Sequence, residues 1–184
     1  MLYIEAKNTE RMVVYLDNSN ISLYAFRKYG DMVLRAAYAC CGCYAEAEDI
    51  AQDVFLQLHA TPVEFEDDEH MKAWLLRVTI NRCKNYRRSF RISRTQPIDE
   101  ENSGMYSMDT TDIEVRELIF SLPPKYSAVI YLYYYEGYQI KEIGEILGKN
   151  PNTVNSLLQR GREKLRMELS EENKPTKRGS VRRT

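Results

Sequence analysis

The sequence predicts an all-α protein, two small helical domains joined by a flexible linker. Three observations lead there. Apolar residues recur at helical spacing through four long segments, roughly 21–37, 45–59, 71–88 and 115–132. That periodicity lapses between Arg91 and Thr111, where Pro97, Ser103, Gly104 and several acids collect. A helix, a tight turn and a second helix then fit Tyr138 to Arg166. With 184 residues, 43% hydrophobic and 29% charged, the chain can build one or two modest cores and is too apolar for global disorder. No apolar run approaches a bilayer span, and the N-terminus lacks a basic-then-apolar signal, so a cytoplasmic location without membrane insertion is expected.

In chain order, residues 1–20 carry Val13, Val14 and Leu16 without a convincing period and read as a poorly ordered leader. Leu23, Phe26, Tyr29, Met32, Val33, Ala36 and Ala37 follow at helical spacing, with Gly30-Asp31 expected to break the run into two helices. Cys40, Cys41 and Cys43 cluster after it, and Cys83 is the fourth cysteine. A metal or redox role would want a nearby histidine or a second cysteine pair, so small buried thiols are the favoured reading. In Ala45 to His59 the core face is Ile50, Ala51, Val54, Phe55 and Leu58. Asp49, Gln52, Asp53 and Leu56 gather opposite. A leucine ringed by acids and an amide suits a protein contact, yet a single exposed leucine needs no explanation, and spacing alone leaves the two level.

An acidic loop, Thr61 to His70, precedes a helix expected from Met71 to about Arg88. Arg77, Asn81, Lys84, Asn85 and Arg88 form one polar stripe on it, with Trp74 and Val78 at the edge. From Lys72 to Arg94 eight cations occur and no acid, although the whole chain carries a net charge of −1. Amides and cations beside an aromatic suit a surface that holds an unpaired base, which is preferred over a basic face for an acidic protein. Thr111 and Glu114 have capping-box spacing before Val115, Leu118 and Ile119, and Leu122-Pro123-Pro124 starts the next helix. Its Tyr131, Tyr133, Tyr134 and Tyr135 read as a packed helix with tyrosine tips in water.

The last two helices show the clearest punctuation. Ile140, Ile143, Ile146 and Leu147 form an apolar stripe, Gly148 suits a positive-φ terminus, and Asn150 with Pro151 starts the second helix. Val154, Leu158, Gly161 and Leu165 form its buried stripe. Asn152, Asn155, Ser156, Gln159 and Arg160 face outward, types that read base edges and hold phosphates. Leu157, about 60° from Val154 on the wheel, is expected to widen the core seam beside a space left by Gly161 rather than meet a thymine methyl. Beyond Glu168 the chain becomes a basic tail. With only His59 and His70, no Ser-His-Asp pattern and no glycine-rich phosphate loop, no catalytic group, cofactor or metal is expected.

These motifs, in this order, resemble the sigma factors of bacterial RNA polymerase, specifically the extracytoplasmic-function group of the sigma-70 family. The likeness covers roughly Ile21 to Leu169. Ala45 to Phe55 is similar to the region 2 helix that binds the polymerase clamp, which implies Asp49, Gln52, Asp53 and Phe55 as core-binding residues and gives Leu56 a use. Trp74 to Val78, Asn81 and Lys84 to Arg88 resemble the segment that opens the minus-ten element, implying Trp74, Arg77, Asn81, Lys84, Asn85 and Arg88. Leu122 to Tyr126 and Gly137 to Arg162 resemble region 4, implying Asn152, Thr153, Asn155, Ser156, Gln159, Arg160 and Arg162 at the minus-thirty-five element. Where the family usually reads Thr-Val-Lys-Ser-Arg-Leu, this chain has Thr153-Val154-Asn155-Ser156-Leu157-Leu158, leaving Arg160, Arg162 and Lys164 to meet phosphates.

The expected organisation is a leader (1–20), a region 2-like domain (21–92), an acidic linker (93–111), a region 4-like domain (112–169) and a basic flexible tail (170–184). The partners implied are polymerase core and promoter DNA, with an anti-sigma factor as a further candidate. A stand-alone helix-turn-helix regulator is the alternative, and a protein-interaction adaptor that merely retains the fold is a third.

Overall fold

The computed structural model describes residues 18–93, residue 119 and residues 122–172. The acidic linker from Arg94, the capping box at Thr111 and Glu114, and most of the leader and tail lie outside them. The described residues form α1 (Asn18–Cys41), α2 (Tyr44–Ala60), α3 (Asp68–Ser93), α4 (Pro124–Tyr134), α5 (Ile140–Leu147) and α6 (Pro151–Glu172).

α1 runs unbroken through Gly30-Asp31, so the expected break is corrected. A helical glycine costs only about 1 kcal/mol relative to alanine. Tyr29, Met32 and Val33, on either side of it, are all buried, and that packing overrides the local preference. The helix ends instead at Gly42, whose φ of 78° lets its N–H reach the Tyr38 carbonyl at 2.9 Å. α3 also departs from expectation, starting three residues before Met71. Asp67 makes the difference, for its carboxylate accepts the His70 N–H at 2.7 Å and its carbonyl accepts that of Met71 at 3.1 Å.

The first three helices share one core, built from Val33, Ala36 and Ala37 of α1, Val54 and Leu58 of α2, and Leu75, Leu76 and Cys83 of α3. Polar ties fix their ends. Tyr24 donates to the Asp68 carboxylate at 2.9 Å, Lys28 donates to the same group, and Tyr29 reaches the Asp68 carbonyl at 3.1 Å. Burial pushes the Asp68 carboxyl up, but the hydrogen bonds from Lys28 and Tyr24 outweigh it and hold the group below its ordinary value. At the other end Tyr86 donates to Glu46 at 2.5 Å.

α4 is the hub of the second half, and every residue from Tyr126 to Leu132 is buried. It packs against α6 and α5 on one side and against α1 on the other. α3 also touches α5, so the two halves meet along a seam. Tyr131 departs from the water-facing tips expected of the tyrosine cluster: it is buried and its hydroxyl donates to Glu136 at 2.8 Å.

Two buried glycines separate steric necessity from convenience. A Cβ on Gly144 would lie 2.7 Å from the Lys149 carbonyl oxygen, a backbone atom that cannot swing away. One on Gly161 would lie 3.2 Å from a carbon of Ile130, a side chain that can shift. Gly144→Ala should therefore cost about 2 kcal/mol, whereas Gly161→Ala, offset by helix propensity, should stay within about 1 kcal/mol of the parent. Thermal unfolding followed by circular dichroism checks this, and the reverse order would show that the turn yields more readily than the α4–α6 contact.

Candidate protein and nucleic-acid interfaces

On α2, Asp49, Gln52 and Asp53 are exposed and Leu56 is 57% exposed, as its place among polar neighbours suggested. Phe55 is half-buried and meets Phe26 of α1 edge to face, with centroids 5.2 Å apart. Phe26 is itself 59% exposed and Leu23 48%, so the apolar ground is wider than one leucine and continues onto α1. Periodicity had placed both residues in the α1 stripe. That stripe is too broad for α2 and α3 to cover, and breadth was the one signal that pointed to a second use. Asp53 is engaged: Arg82 of α3 donates to it at 2.6 Å and to Gln57 at 2.9 Å.

Arg77, Asn81, Lys84 and Asn85 all lie exposed along α3, and none forms an ion pair among the described residues. Arg88 continues the same helix, with its side chain outside the described set. The run of unopposed cations is narrower than composition implied, because Lys72 pairs with Glu136 and Arg82 with Asp53. What remains unpaired is the stripe itself. Trp74, at its edge, is half-buried and braced edge to face by Phe65 of the preceding loop, centroids 5.8 Å apart.

The helix-turn-helix is held by three local devices. Gln139 and Glu142 form a capping box at the start of α5, with the Gln139 N–H donating to Glu142 at 2.7 Å. Gly148 ends α5 at φ 61°, a conformation that glycine adopts without penalty. Asn150 then accepts the Asn152 N–H at 2.8 Å and caps α6 as expected. Val154, Leu158 and Gly161 are buried, and half-buried Leu157 packs against the core. The space expected beside Gly161 is absent, since Ile130 and Tyr126 fill it.

Asn152, Thr153, Asn155, Ser156, Gln159 and Arg160 are all exposed on α6. Ser156 already donates its hydroxyl to the Asn152 carbonyl at 2.9 Å, so it offers a groove only acceptor capacity. Arg162 sits apart from them. Its Nε donates to the Tyr134 hydroxyl at 2.8 Å, and its guanidinium lies over the Tyr133 and Tyr134 rings at 5.3 and 5.5 Å. Sequence reading missed this tie, for which adjacent tyrosines on a neighbouring helix are only a weak signal.

Residues 25–91 match Sigma-70 region 2 and residues 112–165 match Sigma-70, region 4, which places α1 to α3 in one and α4 to α6 in the other. The chain is 32% identical over 163 residues to the extracytoplasmic-function (ECF) RNA polymerase sigma factor SigW of Bacillus subtilis, covering 77% of this chain and 84% of that protein. It is 29% identical over 160 residues to the ECF sigma factor SigE of Mycolicibacterium smegmatis, covering 82% of this chain and 62% of that one. Among solved structures, the Bartonella quintana sigma factor RpoE in complex with the anti-sigma factor NepR superposes with a TM-score of 0.63 at 20% identity, covering 85% of this chain and 99% of that one. CnrH in complex with the cytosolic domain of CnrY gives 0.56 at the same identity, over 84% and 91%. At that identity the two structures speak for the fold, while the sequence relatives and the two matched regions speak for the family. The chain belongs to the ECF group of RNA polymerase sigma factors, within the sigma-70 family.

Proposed function

We propose that the chain binds core RNA polymerase through α2, brings it to promoters whose upstream element α6 reads, and holds a separated strand on α3. The observation that carries this reading is that each matched region presents an exposed polar face on a rigid helix: Arg77, Asn81, Lys84 and Asn85 in one, Asn152, Asn155 and Gln159 in the other. Asparagine and glutamine pair best with adenine edges, and the nearby arginines suit phosphates. An unstacked base held against Trp74 and the amides offsets an unpairing cost of a few kcal/mol, so strand separation needs binding energy and no side-chain chemistry. The activity belongs in the cytoplasm, with the polymerase and the chromosome.

On α2 the apolar ground around Leu56 and Phe55, rimmed by Asp49 and Gln52, supports a helical and partly basic partner surface such as the polymerase clamp. The acidic linker is proposed to follow a basic channel of the polymerase. The two solved neighbours are complexes with the anti-sigma factor NepR and with the cytosolic domain of CnrY, and by that likeness an anti-sigma factor is proposed here as a third partner. A stand-alone regulator would need a sensor or dimer domain in the first half, where region 2 is matched instead.

Run-off transcription with purified core polymerase tests the whole reading, and absence of promoter-dependent transcript would remove it. Leu56→Glu should weaken core binding at least about tenfold while the helical signal stays native, as expected for a charge placed in an apolar contact. Unchanged affinity would move the contact elsewhere. Asn81→Ala should impair open-complex formation on duplex much more than on a pre-melted bubble, whereas equal loss on both would mark a general binding defect. Asn155→Lys should alter base preference at one upstream position in selection from a random pool. Recovery of the parent's sequence would show that α6 reads with other residues.

A further inference from the structure

We propose, resting on the reading of α2 as the helix that binds polymerase, that Arg82 of α3 is a positioning residue for that contact and that the contact continues past Leu56 to Gln57. Arg82 forks across from α3 to α2, where its Nη1 donates to Asp53 Oδ2 at 2.6 Å and its Nη2 to Gln57 Oε1 at 2.9 Å. Asp53 and Gln57 are four residues apart, so one turn of α2 brings both to the same side of Leu56. A guanidinium is planar and holds its terminal donors in a rigid fork, which fixes two acceptors relative to one another as no ammonium can.

Each acceptor keeps something to offer. Asp53 retains Oδ1, and Gln57 its amide N–H pair, without a hydrogen-bond partner among the described residues, and neither group is buried. Because a guanidinium only donates, the Gln57 carbonyl is the end turned to Arg82 and the N–H pair is the end left over. The ion pair removes Asp53 from the count of unpaired charges, and what remains is a directed acceptor. An acceptor at Asp53 and a donor at Gln57 thus stand side by side, next to a leucine that is 57% exposed. Asp49, one turn earlier, repels Asp53, and the Arg82 charge offsets that repulsion. The polymerase surface that fits carries a cation or N–H donor opposite Asp53, an acceptor opposite Gln57 and apolar side chains against Leu56.

Stability alone does not account for how Arg82 is held. Its Nε is buried with no hydrogen-bond partner, although both terminal nitrogens are satisfied. The Arg82 side chain is 33% exposed and that of Asp53 58%, so water screens the pair and it adds little to the fold. A weak pair kept at the expense of an unsatisfied donor points to the orientation of its acceptors as what the contact provides. Arg82 follows Asn81 in sequence but is turned to α2, so α3 presents its own polar stripe and braces the face of its neighbour.

Titration of the full chain with purified core polymerase, followed by fluorescence anisotropy at fixed salt, tests this. Arg82→Lys keeps the charge and loses the fork. It should weaken binding about fivefold with an unchanged helical signal, as expected when two side chains must be ordered on binding. Gln57→Glu keeps an acceptor for Arg82 and replaces the outward donor, and should weaken binding about tenfold without lowering the melting temperature. Parent-like binding by either variant overturns the proposal. A positioning role has a further signature: with Asp53 and Gln57 both changed to alanine, Arg82→Lys should alter affinity by less than about 1.5-fold, because the groups it acts through are gone. An undiminished loss on that background overturns the proposal as well. Leu56→Glu separates the fork from the reading beneath it. If Leu56→Glu weakens core binding while Arg82→Lys and Gln57→Glu do not, α2 binds polymerase without the fork and only the positioning role falls. If none of the three weakens it, α2 is not the contact and both fall together.

Discussion

Burial of α4 on every side is the constraint from which the second half follows. A helix with no polar face needs neighbours all round it. α6 supplies one side through Gly161, whose missing side chain admits Ile130 and Tyr126, and α1 supplies another. Once Val154, Leu158 and Gly161 are committed to that contact, the 3.6-residue period turns Asn152, Asn155, Ser156 and Gln159 outward. The exposed polar face of α6 is therefore a consequence of how α4 is covered. Gly144 adds a second requirement, since only glycine lets the turn carbonyl of Lys149 fold back onto α5.

Charge is sorted by the same packing. Lys72 and Arg82 lie toward the flanks of α3, where Glu136 and Asp53 come within reach, while Arg77 and Lys84 are exposed and pair with no acid among the described residues. The Arg82–Asp53 pair is a third to over half exposed and contributes on the order of 1 kcal/mol or less to stability. Its larger effect is to withdraw one cation and one carboxylate from the surfaces on which sequence had counted both.

How much was legible depended on whether the deciding interaction was local. Gly148, Asn150 and Pro151 punctuate the helix-turn-helix through contacts within a few residues, and there expectation and structure agree. Leu157 could be placed because only its own helix's period was needed. The Gly30-Asp31 break failed because packing across three helices outweighed a local preference. The early start of α3 failed because acids that read as loop composition act as a cap. Arg162 meets Tyr134 of α4, Tyr131 reaches the Met32 carbonyl of α1, and Lys72 of α3 pairs with Glu136 in the turn after α4; no period along one helix reveals such partners.

The thiols show why this half of the molecule acts as a rigid support. Burial pushes the Cys41 thiol up to about 12, and contact with Cys40 together with burial raises Cys83 further, so neither supplies thiolate at neutral pH. Their contribution is volume and two weak hydrogen bonds, Cys41 to the Cys43 carbonyl at 3.3 Å and Cys83 to that of Ala37 at 3.7 Å. Cys83 is wholly buried between α1 and α3, so small side chains there let the two helices approach closely. Tyr86, whose ionisation is opposed first by burial and then by Glu46, ties α3 to α2 one turn further on. The stripe from Arg77 to Asn85 is thereby mounted on a helix fixed at several levels. A surface ordered before a partner arrives loses less conformational entropy on binding, which leaves more of the contact energy to show as affinity.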